Sequence, residues 1–219
     1  DCGNDICDCD SCEIVDTIGP IEAQQVCGVE IQDILDCGYS PCELIDGGID
    51  PQELIDAGAS LEELLECLSP CEIVELGGDL SELGGIGVDV GELFECVSEC
   101  ELVDAGFEVE EIVQGGGEIS ELLECVESCE LVEAGVDPGD LISEEADLGE
   151  LLGCLSPCEL VDAGAAPRDI YSAGGEVSAL LDCLGPCDLV EAGIGLEELL
   201  GAGAELCELL GCASIQELL

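Results

Sequence analysis

A repeat of 29 residues constrains this chain more than any other feature of its sequence. Six units follow one another without a gap, and they open at Cys42, Cys71, Cys100, Cys129, Cys158 and Cys187. A fixed period of this size is typical of solenoids and arrays, in which each unit buries its apolar surface against its neighbours. The chain is therefore divided into a Cys-rich head at 1–11, a divergent first turn at 12–41, six regular turns at 42–215 and a C-terminal end at 216–219.

The spacing of apolar residues within each unit predicts helices. In the unit that opens at Cys42, the pairs Leu44 and Ile45, Leu54 and Ile55, and Leu64 and Leu65 are surrounded by acidic residues, and further apolar residues stand three or four positions away. Such spacing is helical. We therefore predict an all-α fold, an α-solenoid of 29-residue turns with three short helices per turn. A β-solenoid of similar turn length is the alternative.

Glycine and proline mark where these helices should end and begin. The seventh residue of each unit is expected at a helix C-terminus, where glycine adopts a left-handed conformation most easily, and it is occupied by Gly48, Gly77, Gly106, Gly135, Gly164 and Gly193. Proline is tolerated in the first helical position because its missing N–H would have no partner there. We expect Pro51, Pro138 and Pro167 in such positions, and capping boxes at Ser69 with Glu72 and at Ser156 with Glu159.

Helices this short are not stable alone, so their apolar residues should be buried between successive units. One set of equivalent positions is predicted to form an internal column, namely Leu64, Leu93, Leu122, Leu151, Leu180 and Leu209. A second predicted column contains Leu83, Ile112, Leu141, Ile170 and Leu199.

The chain has 19 cysteines, most of which stand in C-x3-C pairs where one unit meets the next. If cysteines 25 residues apart are paired, every cysteine at the junctions between units has a partner. This pairing predicts a disulfide ladder at one corner of the solenoid. Its pairs are Cys12 with Cys37, Cys42 with Cys67, Cys71 with Cys96, Cys100 with Cys125, Cys129 with Cys154, Cys158 with Cys183, and Cys187 with Cys212. Reduced structural cysteines and a zinc or iron–sulfur array are the alternatives. So many cysteines indicate an extracellular protein, in a mature form without a signal peptide.

Five cysteines fall outside the ladder, and an odd total leaves at least one without an intramolecular partner. Cys2, Cys7 and Cys9 lie near one end of the sequence and Cys207 near the other, so they are candidates for links between subunits, together with the terminal Leu218 and Leu219. Cys27 is the fifth of these cysteines. The alternative is a local disulfide knot in the head, with one thiol left unpaired.

The net charge of −54, with 55 acidic residues against one basic residue, argues against binding to nucleic acids or anionic membranes. No apolar run is long enough to insert into a bilayer. The second and fifth residues of the units form acidic rows that are candidate sites for Ca²⁺ or other divalent cations: Glu43, Asp46, Glu72, Glu75, Glu101, Asp104, Glu130, Glu133, Glu159 and Asp162. Mutual repulsion should raise the pKa of crowded carboxylates, so we expect greater stability at lower pH or with divalent cations.

Nothing in the sequence predicts an enzyme. Histidine and lysine are absent, which excludes Ser-His and Cys-His arrangements and phosphate loops that need a lysine. Every unit offers similar carboxylates, so no catalytic pair stands out. No cofactor is required by this interpretation, with calcium as a possible counter-ion.

The leading functional prediction is a structural subunit of an extracellular filament, because a repeat array without polar end caps exposes apolar surface that a second copy could cover head-to-tail. The filament would be stiffened by disulfides within subunits and between them. Two alternatives are an acidic soluble protein that binds divalent cations or mineral, and a scaffold for a basic protein partner.

Overall fold

The computed structural model describes residues 6–212, and the predictions made for Cys2, Leu218 and Leu219 concern residues outside this range. The described residues contain short helices and no strand, so the all-α prediction is confirmed and the β-solenoid is wrong. The chain divides into two compact units, the first ending at Phe107 and the second beginning at Glu108. Each unit is described by itself.

The first unit opens with an irregular region. A 3₁₀ turn at Ile6–Asp8 precedes α1 (Ser11–Ile18), α2 (Pro20–Glu22), a π-helix at Ala23–Cys27 and α3 (Ile31–Asp36). Regular helices then follow at α4 (Pro41–Gly47), α5 (Pro51–Asp56), α6 (Leu61–Leu64), α7 (Pro70–Glu75), α8 (Leu80–Gly85), α9 (Val90–Leu93) and α10 (Glu99–Asp104).

The second unit continues the same pattern. Its helices are α11 (Val109–Gln114), α12 (Ile119–Leu122), α13 (Ser128–Glu133), α14 (Pro138–Ser143), α15 (Leu148–Leu151), α16 (Pro157–Asp162), α17 (Pro167–Ser172), α18 (Val177–Leu180), α19 (Pro186–Glu191), α20 (Leu196–Gly201) and α21 (Leu206–Leu209). Each 29-residue repeat therefore holds three short helices, as predicted.

Hydrogen bonds at both ends explain why such short helices form. At the end of α4, Gly48 has a φ of 102°, and the N–H of Ile49 reaches back to the carbonyl of Leu44 at 2.9 Å. This six-to-one bond is the Schellman arrangement, which satisfies carbonyls that the helix leaves without partners. All six glycines predicted for this position have positive φ. The three predicted prolines lie at the first residues of α5, α14 and α17.

One aliphatic side chain of each regular helix fills the core. The residues predicted for the two internal columns are all fully buried. A third set, at the first helices of the repeats, is equally buried: Leu44, Ile73, Leu102, Leu131, Leu160 and Leu189. Burying a side chain of this size stabilises the fold by about 1.5–3 kcal/mol. Packing between helices therefore provides the stability that such short helices lack on their own.

The backbone returns alongside itself sooner than the repeat length suggests. The Cα atoms of Cys42 and Cys67, 25 residues apart, are 5.8 Å from each other. Helix α6 packs against α4 before it and α8 after it, and in the second unit α15 packs against α13 and α17 in the same way. Since each of these helices packs against the second helix along the chain, one coil holds two helices, whereas one repeat holds three. Equivalent residues of successive repeats are therefore offset around the coil.

Candidate functional site: the disulfide corners, the acidic surface and the exposed end

The predicted disulfide ladder is present. Disulfides with a separation of 25 residues join Cys12 to Cys37, Cys42 to Cys67, Cys71 to Cys96, Cys129 to Cys154, Cys158 to Cys183 and Cys187 to Cys212. Cys100 and Cys125 are disulfide-bonded as well. The zinc, iron–sulfur and reduced-cysteine alternatives are therefore wrong for these residues.

Each rung joins the start of one helix to the segment that follows another. Cys71 lies in the first turn of α7, and Cys96 follows α9 after its last turn. The sulfur of Cys71 also lies 3.3 Å from the carbonyl oxygen of Glu92. The bond thus ties together the two helices that open and close a repeat. A closed loop of about 25 residues stabilises a fold by about 3 kcal/mol through the lost freedom of the unfolded chain.

The sequence allowed two roles for the head cysteines, links between subunits or disulfides within the head, and the structure contradicts the first. Cys7, named as a candidate for links between subunits, is bonded to Cys27 of the same chain across 20 residues. Cys9 is disulfide-bonded too. The prediction of an inter-subunit role is therefore wrong for both Cys7 and Cys9. Cys7 has a partner in its own chain because the π-helix brings Cys27 beside the head. The sequence signal was that Cys27 lies outside the ladder spacing.

Cys207 is the one free cysteine among residues 6–212, and it is exposed. It lies in the first turn of α21, flanked by apolar side chains that are also exposed: Leu206 is 51% accessible and Leu210 is 59% accessible. The residue equivalent to Leu206 in the first regular repeat, Leu61, is only 4% accessible. In that repeat, helix α6 packs against α8.

The acidic rows do not converge on a metal site. Within residues 6–212, no three carboxylate or cysteine side chains are grouped closely enough to hold one ion. The offset between repeat and coil accounts for this, because it displaces equivalent carboxylates around the surface. The rows remain a source of strong negative potential, with Arg168 as the one basic side chain of the whole chain.

Several row residues have a structural role instead. Glu72 accepts hydrogen bonds from the backbone N–H and the hydroxyl of Ser69, both at 2.8 Å, which completes a capping box at the start of α7. The same box forms at Ser40 with Glu43, Ser98 with Glu101, and Ser156 with Glu159. Both capping boxes predicted from the sequence are confirmed.

These bonds lower the carboxylate pKa. The backbone N–H of the serine, followed by its hydroxyl, lowers the pKa of Glu72, Glu101 and Glu159 below the ordinary value. The side chain and backbone of Ser81 lower the pKa of Asp79 in the same way. The expectation that crowding raises the pKa is therefore wrong for Glu72, Glu101 and Glu159, because the hydrogen bonds from the capping serine lower the pKa more than desolvation raises it.

The helices of the described chain are too short to cross a membrane, since the longest, α1, has eight residues. No family model, no curated protein and no solved structure matches this chain. The many disulfides within the chain indicate an oxidising environment, such as that of secreted proteins.

Proposed function

We propose that this chain is a non-enzymatic structural subunit of an extracellular filament, in which copies stack head-to-tail. The observation that carries the proposal is the exposed apolar face of α21, formed by Leu206 and Leu210 beside the free thiol of Cys207. The residue equivalent to Leu206 in the first regular repeat, Leu61, is buried instead. A second copy that continued the stack would cover this face in the same way.

Charge opposes this contact and makes it dependent on salt. Two copies that each carry −54 repel one another, and the repulsion between exposed charges falls as ionic strength rises. Assembly should therefore be stronger in high salt or with calcium as a counter-ion. The apolar contact provides the attraction between copies, and the repulsion between carboxylates determines the ionic strength at which the contact forms.

No covalent link is needed to hold the stack. Cys207 has a free thiol, whereas Cys7 and Cys9 on the head are already disulfide-bonded. The contact proposed between copies is therefore apolar.

Electron microscopy and sedimentation of the purified protein at low and high salt test the proposal. We expect elongated particles that lengthen with protein and salt concentration. The variant Leu206→Ser with Leu210→Ser should shift the population to single subunits. Cys207→Ser should preserve the particles while removing any covalent ladder on a non-reducing gel. Single subunits of the unaltered protein at all concentrations and salt conditions would refute the filament.

A further inference from the structure

Two grooves of the first unit recur at equivalent places in neighbouring repeats. The larger, which we call the second corner groove, has a volume of 690 Å³ and lies between the corner that follows α6 and the start of α9. The smaller, the first corner groove, has a volume of 230 Å³ and lies between the corner that follows α3 and the start of α6. The repeat therefore builds the same kind of depression twice.

Each groove combines an apolar wall with acidic residues. Leu65, Leu68 and Val88 line the second corner groove and are half-buried, whereas its Asp89, Glu92 and Glu95 are exposed. Leu35 and Tyr39 line the first corner groove together with Asp36 and Glu63. The apolar wall suits an aliphatic chain, and the carboxylates suit a cation.

The occupant must therefore carry both properties. A metal ion would use only the carboxylates, and these are not grouped closely enough to hold one ion within the described residues. Lysine and arginine side chains place an aliphatic stem against apolar surface while the charged end remains near water. The net charge of −54 would also attract a basic chain from a distance.

We infer that the corner grooves of the first unit bind lysine or arginine side chains of a basic protein segment. Each groove takes one aliphatic stem against its leucines and one terminal cation at its carboxylates. This partner is independent of the filament contact at α21.

Calorimetric titration with tetralysine in 0.15 M NaCl tests the inference. The variant Glu92→Gln with Glu95→Gln removes two groove carboxylates and should weaken the tightest binding step about five-fold, as expected for two exposed ion pairs. The matched control is Glu75→Gln with Asp104→Asn, which removes the same charge from two exposed carboxylates of the first unit that line neither groove. It should change affinity less than two-fold.

Chemical cross-linking can show where tetralysine binds. Carbodiimide joins a lysine amine to a neighbouring carboxylate, so peptide mapping after treatment with tetralysine should find the adducts concentrated at Asp89, Glu92 and Glu95. An even spread over the acidic surface, or equal weakening by the two variant pairs, would overturn the inference in favour of a diffuse charge effect. Displacement of tetralysine by magnesium at constant ionic strength would overturn it in favour of a metal ion. None of these results depends on whether filaments form.

Discussion

Glu145 and Gly174 occupy the same position in successive repeats, and both have a left-handed backbone, with φ of 61° and 110°. Every other positive φ among residues 6–212 belongs to a glycine. The N–H of Ala146 donates to the carbonyl of Leu141 at 3.0 Å, as the N–H of Gly175 does to that of Ile170 at 2.8 Å. The Schellman turn of α14 is therefore complete, although its left-handed residue carries a side chain.

Replacing Glu145 should stabilise the protein. A left-handed conformation costs a residue with a Cβ about 1–2 kcal/mol, and glycine avoids this cost. We expect Glu145→Gly to raise the free energy of unfolding by about 1 kcal/mol, measured by urea denaturation at pH 7. Glu145→Gln removes the charge but keeps the Cβ, so it should recover little of this gain. Equal gains in both variants would show that charge, not backbone conformation, limits stability at this position.

Removing one rung of the ladder should weaken the repeat it closes. The variant Cys42→Ser with Cys67→Ser opens a loop of 25 residues, and we expect it to lose about 3 kcal/mol of stability. Cys207→Ser, which breaks no disulfide within the chain, is the control and should leave the melt unchanged. Hydrogen exchange should show lost protection mainly in α4, α5 and α6, since repeats depend on their nearest neighbours. Uniform loss along the chain would contradict this local role.

Helix caps vary from repeat to repeat and provide a matched pair of substitutions. Asp137 caps α14 by accepting a hydrogen bond from the N–H of Gly139 at 2.8 Å, whereas Ala166 holds the same place before α17 and makes no such bond. We expect Asp137→Ala to lose, and Ala166→Asp to gain, about 1 kcal/mol in thermal or urea melts. If Ala166→Asp lowers stability, repulsion from neighbouring carboxylates outweighs the cap.

Acid should weaken the capping boxes. The pKa of Glu72, Glu101 and Glu159 is lower in the folded chain than the ordinary 4.5, so their contribution is present above that value and is lost as the pH falls through the folded pKa. Melts between pH 6 and pH 3 should show this loss. The combined variant Ser69→Ala, Ser98→Ala and Ser156→Ala should lose less stability over the same range than the unaltered chain. If both proteins lose the same stability between pH 6 and pH 3, the capping boxes are not the cause of the loss.

Local signals in the sequence predicted much of the fold. Glycine at the seventh position, proline at the start of a helix and leucine at fixed spacing each act within a few residues, so Gly48, Pro51 and Leu64 could be placed from the chain alone. The ladder could be predicted because a constant separation of 25 residues leaves no corner cysteine over. These features depend on short-range stereochemistry and on the regular spacing of cysteines along the chain.

Other features depend on how far the coil turns, which no local pattern encodes. That a coil holds two helices while a repeat holds three becomes visible only when the backbone returns beside itself. This difference determines which carboxylates are neighbours, so the rows predicted as metal sites do not bring three ligating side chains together within residues 6–212. The pairing of Cys7 with Cys27 depends in the same way on the π-helix, whose sequence carries no distinct signal.

The disulfide loops of the regular repeats follow one another without overlapping, and this arrangement determines how a protease could dismantle that part of the protein. A cut within the loop from Cys129 to Cys154 leaves both fragments joined by the bridge. Only a cut in the three-residue segment between Cys154 and Cys158, Leu155-Ser156-Pro157, separates one loop from the next. Digestion would therefore release few fragments until the bridges are reduced, which would favour persistence among secreted proteases.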